Sequence, residues 1–215
     1  MQPDPAKVMA GFGQAGVDVD GDMLFQAHYR GVLAIDRAEA EPEVFVDYHL
    51  AYAEALGLAP RSPAADAAVA ALTELWAATG LWSEPLPWTA VGLAAVAETG
   101  LPIAVVSNAD GTVAELLAAI GLCQVGPGPG VEVAAVIDSG TVGVAKPDPA
   151  IFALALDAVG VEAARAVHVG DTFQYDVRGA RAAGVHPVLV DPLGLRTDTD
   201  CDRIASLTEV ATLLT

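Results

Sequence analysis

Three stretches of this 215-residue chain set residues able to handle an anion directly after short apolar runs. Ser107-Asn108 follows Ile103 to Val106. A hydroxyl and backbone N–H groups at a strand end suit an anionic oxygen, as in an oxyanion hole, although Ser and Asn are also ordinary loop residues. Lys146 precedes Pro147-Asp148-Pro149. Pro149 fits the first position of a helix and Asp148 its N-cap, which places Lys146 just ahead of a helix start. Most lysines are simply exposed, but against a net charge of −18 a cation at the mouth of a site has an electrostatic use. Gly170-Asp171 follows Ala166 to Val169, and Asp176 comes soon after, where a helix should begin. Two carboxylates so placed can face one point. They form a hard oxygen set of the kind that suits Mg²⁺, which takes one or two carboxylates plus water and substrate phosphate. Asp176 also reads as a first-turn acid or N-cap, a role compatible with the other. Thr112 with Glu115 has the form of a capping box and is assigned a structural role.

The charge balance excludes some partners. Ten Lys plus Arg against 28 Asp plus Glu, scattered along the chain, make no basic stripe for a nucleic-acid backbone. An acidic chain can hold a small phosphorylated molecule only through locally concentrated positive charge, from a bound cation or a well-placed lysine. The most apolar stretch, Val91 to Val106, is broken by Glu98, Gly100 and Pro102 and falls short of the roughly 20 clean residues of a spanning helix. The first residues carry neither a basic cluster nor an apolar run, so no secretory signal is expected. Cys123 and Cys201 form neither a disulfide framework nor a metal spacing. A cytoplasmic location follows by default.

The elements that must position these residues change in kind along the chain. Residues 1–84 read as helical: a helix through Val8, Met9 and Phe12 stopping near Gly16, then helices over about 22–37, 43–56 and 63–79, with Pro60, Pro63, Pro85 and Pro87 at the joints. Residues 85–215 alternate. Helices near 89–99, 112–120, 149–159 and 175–183 separate strands near 103–106, 131–137, 166–169 and 187–190. Short apolar runs alternating with helices indicate a parallel sheet covered by helices, with ligands collecting at the carboxyl ends of its strands. The expected fold class is thus α/β, a Rossmann-like core (85–215) preceded by a helical domain (1–84).

Taken in order, Ser107-Asn108, Lys146-Pro147-Asp148-Pro149 and Gly170-Asp171 with Asp176 resemble the second, third and fourth motifs of the haloacid dehalogenase-like hydrolases. The resemblance covers roughly residues 88–192 and is most specific over 144–152 and 168–184. It implies that Ser107 and the Asn108 backbone hold a phosphoryl oxygen, and that Lys146 neutralises the phosphate and an attacking carboxylate. It also implies that Asp171 binds Mg²⁺ directly, with Asp176 helping directly or through water, and that the helical N-terminal part is a cap. The implied activity is Mg²⁺-dependent phosphatase chemistry on a small phosphorylated metabolite.

The family's first motif, an apolar strand ending in Asp-x-Asp-Gly-Thr or Asp-x-Asp-Gly-Val, has no clear counterpart. Asp18-Val19-Asp20-Gly21 matches its letters but follows Gly11 to Val17, too glycine-rich for a buried strand, and reads better as a turn into an acidic helix start. Asn108-Ala109-Asp110-Gly111-Thr112 follows a true strand but offers Asn where a nucleophile belongs. The simplest account is a chain beginning just after the first motif, through a downstream start or through loss of the strand. Two alternatives to the phosphatase stay open: a non-catalytic binding or regulatory protein, and a 2-haloacid dehalogenase. The latter dispenses with metal, so Gly170-Asp171 argues against it. Substrate and oligomeric state are not legible.

Overall fold

The computed structural model describes residues 1–38, 44–78 and 80–214. The chain divides into two compact units, one of Met1–Leu86 with Leu195–Thr197, the other of Pro87–Gly194 with Asp198–Thr215.

In the first unit the described regular elements are helical: α1 (Pro5–Gln14), a 3-10 turn (Gly21–Met23), α2 (Leu24–Arg37), α3 (Val44–Ala55) and α4 (Pro63–Ala77). Positions 43 and 79, included in the expected helices, lie outside the described residues. The starts are written in the sequence. Asp4 and Ser62 accept hydrogen bonds from the first-turn N–H groups of α1 and α4, and a proline occupies the first turn of each. Val8, Phe12, Tyr29, Tyr48, Tyr52 and Leu72 are essentially inaccessible and form the unit's interior. Met9, expected on the same stripe, is exposed instead. Helices α2 and α3 approach closely at Gly31, where a Cβ would lie 2.6 Å from the Tyr48 ring. Arg196 ties Leu195–Thr197 to α2: its Nε donates to Asp36 Oδ2 at 2.9 Å, and its Nη2 donates to the same oxygen.

In the second unit every ladder is parallel, as α/β alternation demands. Its elements are α5 (Thr89–Glu98), β1 (Ala104–Ser107), α6 (Val113–Ala119), β2 (Cys123–Val125), β3 (Val131–Val133), β4 (Ala135–Asp138), α7 (Ser139–Val142), α8 (Pro149–Val159), β5 (Val167–Gly170), a π turn (Phe173–Val177), α9 (Arg178–Ala182), β6 (His186–Val190), β7 (Asp202–Ile204) and α10 (Val210–Leu213). The strands form three separate ladders among the described residues, β1–β4, β2–β3 and β5–β6–β7.

The single strand expected over 131–137 is two. At Ala134 the chain changes partner: β3 pairs with β2 and β4 with β1, while the Ala134 N–H donates to Ile103 O at 2.8 Å. Strand β7 and helix α10 were not anticipated, because residues 198–215 are too polar and short-patterned to announce them. Helix α8 packs on β1 and β4 and against α9. Its Ile151 and Phe152 join Ala180 and Val185 in a core also touched by Val106 and Ile137. A second cluster, Val188, Val190, Ile204 and Val210, lies under α10.

Candidate active site

The site is built at the carboxyl ends of β1, β4 and β5. Strand β1 ends at half-buried Ser107, in register with Asp138 at the end of β4. Asn108 is a clamp. Its side-chain Nδ2 donates to Lys146 O at 2.9 Å, and the Lys146 N–H donates to its Oδ1 at 2.7 Å, across 38 positions of sequence. The Lys146 loop is held from its other side by the start of α8, where Asp148 accepts from the Ala150 N–H at 2.9 Å as expected of an N-cap.

Lys146 Nζ donates to Asp176 Oδ1 at 2.7 Å, and both side chains are largely buried, 12 % and 5 % exposed. The same oxygen receives His168 Nε2 at 2.9 Å. Asp176 Oδ2 accepts from the Thr172 N–H at 3.0 Å and from Thr172 Oγ1 at 2.6 Å. Burial by itself would raise the Asp176 carboxyl. The Lys146 charge and the bonds from His168 and Lys146 more than offset this and hold it well below the usual carboxylate range. The arrangement requires Gly170, because a Cβ there would stand 2.2 Å from Asp176 Cγ. Asp176 lies in the first turn of the π helix, as its position suggested. Asp171, half-buried, directly follows β5 between Gly170 and Thr172, both of which abut the Asp176 carboxylate.

Asp138 and His168 were not singled out from the sequence. Asp138, 3 % exposed, accepts from the N–H groups of Gly111 (3.0 Å), Gly140 (2.9 Å) and Val113 (3.1 Å), tying the loop after β1 to the end of β4. Ser139 Oγ adds a reciprocal pair with Ala109, accepting from its N–H at 3.0 Å and donating to its carbonyl at 3.1 Å. This corrects the capping box expected of Thr112 and Glu115. The Thr112 hydroxyl turns instead to Asp110 Oδ1 at 2.6 Å, and the carboxylate of Asp138 caps α6 from outside the helix. The signal was the one that marked Asp171, an acid directly after an apolar run. His168 sits within β5, where strand alternation alone does not separate a packed histidine from a working one.

Asp18 occupies irregular backbone before the 3-10 turn, not a strand end. Among the described residues no three His, Cys, Asp or Glu side chains gather as a metal cage, and no described helix is long and apolar enough to cross a membrane.

The strand ends of the parallel α/β unit thus carry Ser107, the buried Lys146–Asp176 pair and the Gly170-Asp171 turn. The family description "haloacid dehalogenase-like hydrolase" matches residues 14–184, and the chain belongs to that family. It is 36 % identical over 169 residues to a plasmid-borne phosphoglycolate phosphatase of Cupriavidus necator, covering 74 % of this chain and 69 % of that one. It is 42 % identical over 91 residues to haloacid dehalogenase-like hydrolase domain-containing protein 3 of Bos taurus, covering 42 % and 34 %. Among the solved structures, a HAD phosphatase from Thermococcus onnurineus superimposes with a TM-score of 0.57 at 20 % identity, over 93 % of this chain and 94 % of that one, a likeness of fold. The chain spans only 25 to 43 % of the length of the first curated relatives it matches.

Proposed function

We propose that this chain is a Mg²⁺-dependent phosphatase of a small phosphorylated metabolite, with phosphate and metal held at the strand ends of its α/β unit. The observation that carries the reading is the Lys146–Asp176 pair. In a chain of net charge −18, one ammonium is held almost out of water, against a carboxylate that His168 of β5 also contacts. A cation kept there serves an anionic ligand, since burying it for stability alone is a poor use of a charge.

In this reading the Ser107 hydroxyl donates to one phosphoryl oxygen and Lys146 Nζ swings partly off Asp176 Oδ1 to donate to another, as donors aimed at negative charge do. Each oxygen of Asp176 already takes two protein donors, so direct ligation would have to displace them. Asp171, half-buried at a strand end, has the chemistry for one direct bond, with Asp176 acting through water. Mg²⁺, when bound, neutralises phosphate charge. The attacking carboxylate would belong to a strand joining the separate β1–β4 and β5–β6–β7 ladders, as in the family's first motif.

The separation of those ladders among the described residues favours a second reading, a protein that binds phosphate without turnover. Inorganic phosphate titrated into the full chain by calorimetry, with and without Mg²⁺, tests what the two share. Binding that Lys146→Met weakens at least tenfold supports the site. Equal binding by both proteins would remove it.

A further inference from the structure

We infer that His168 is a positioning residue: its Nε2–H satisfies Asp176 Oδ1 so that Lys146, bound to that same oxygen, can be shared with an anionic ligand. The inference rests on the phosphate reading above.

The geometry sets up a competition. One oxygen of a buried carboxylate receives two donors, Lys146 Nζ at 2.7 Å and His168 Nε2 at 2.9 Å. The other oxygen is served wholly by Thr172. If Lys146 were the sole donor to Oδ1, drawing its ammonium toward a phosphoryl oxygen would strip that atom of its partner. A buried acceptor left unsatisfied is costly, more so when charged. With His168 in place, Oδ1 keeps one hydrogen bond throughout.

His168 is itself held where it can do this. It projects from β5, the strand that ends at Gly170, and its ring meets the buried Phe152 ring edge-on at 4.9 Å. Phe152 belongs to the core formed by α8 and α9. The imidazole therefore has an apolar wall on one side and the carboxylate on the other, and because an ionised carboxylate only accepts, the shared proton belongs to Nε2.

The chain contains two lysines, Lys7 and Lys146, so lysine chemistry can be read with Lys7 as an internal reference. His168→Gln retains a side-chain N–H donor. His168→Leu and His168→Val both delete it, and using two deletions keeps the comparison intact if one fails to fold. Two measurements are made on the full chain: inorganic phosphate affinity by calorimetry, and the rate of Lys146 acetylation by acetic anhydride relative to Lys7, by mass spectrometry.

In the deletion variants phosphate affinity should fall at least fivefold. The Lys146:Lys7 acetylation ratio should fall at least threefold, because Asp176 then holds the amine alone. His168→Gln should restore both to within twofold of the parent. An unchanged acetylation ratio in a folded deletion variant overturns the inference. A Gln variant as impaired as the deletions also overturns it, since that would mark a packing role. If the parent chain binds no phosphate, the proposed function falls, and the acetylation ratio alone still decides the role of His168.

Discussion

Asn108 and Lys146 grip each other through two hydrogen bonds, amide to carbonyl and N–H to amide oxygen, at 2.9 and 2.7 Å. The Asn108 side chain thereby sets the backbone from which the lysine reaches Asp176. Asn108→Ala removes both bonds at an exposed position, and the expected loss is about 1–2 kcal/mol of stability. The sharper effect should be on phosphate affinity, since a displaced loop moves Lys146. Urea denaturation and phosphate calorimetry on one sample separate the two. Full affinity in the variant would show that the clamp does not serve the lysine.

Asp176 should make the stability depend on pH on the acid side. Its folded carboxyl lies well below the usual range, so its contribution is complete above the unfolded value, about 3.9, and is lost as pH falls from there through the folded value. Asp176→Asn should be less stable near neutrality by about 3 kcal/mol, because a buried ammonium loses its partner. The difference from the parent should shrink below pH 4 or so. Denaturation midpoints at neutral and acid pH report it, and a gap that stays constant across that range would contradict the assignment.

Gly170→Ala introduces a Cβ 2.2 Å from Asp176 Cγ. Either β5 or the carboxylate must shift, with an expected destabilisation of about 1–3 kcal/mol from overpacking. The thermal melt should drop, and acetylation of Lys146 relative to Lys7 should rise as the pair loosens. A variant with parental melt and parental labelling would mean that the turn tolerates the methyl.

Mg²⁺ should bind the chain weakly and through Asp171. Few carboxylates are available and Mg²⁺ dehydrates reluctantly. Calorimetric titration of the parent and of Asp171→Asn should show a signal that the substitution abolishes. Equal binding would move the metal elsewhere.

The chain should bind phosphate yet hydrolyse an aryl phosphate negligibly, since the strand-end carboxylate of Asp138 is taken up by three backbone N–H groups and that of Asp176 by Lys146, His168 and Thr172, which leaves neither to attack phosphorus. An added N-terminal segment of about 10–20 residues bearing an apolar strand and Asp-x-Asp, a strand of ordinary length with its loop, should raise both turnover and melting temperature. Hydrolysis by the unextended chain that Asp18→Asn abolishes would instead make Asp18 the nucleophile.

Much of this architecture is legible in one dimension because its causes are local. The helical starts follow from side chains a few residues away, such as Asp4, Ser62 and Asp148 ahead of their prolines. Strands β1, β4, β5 and β6 follow from valine- and isoleucine-bearing runs, and the helices between them call for parallel pairing. Ser107 and Asp171 show as polar residues that end those runs, and Lys146 as the residue just ahead of a capped helix start.

What the sequence could not contain is the use of groups distant along the chain. Asp138 replaces a cap that Thr112 and Glu115 seemed to supply, because a buried carboxylate 25 residues beyond Val113 offers its N–H a charged acceptor. Asn108 becomes a clamp only when folding brings Lys146 alongside it. Asp176, written as one half of a metal pair, has all its oxygen capacity taken by Lys146, His168 and Thr172, a saturation visible only once three segments of chain converge. Residue types and strand periodicity determined where polar chemistry would collect. Tertiary packing decided which donor met which acceptor, because a hydrogen bond depends on distance in space and not on separation in sequence.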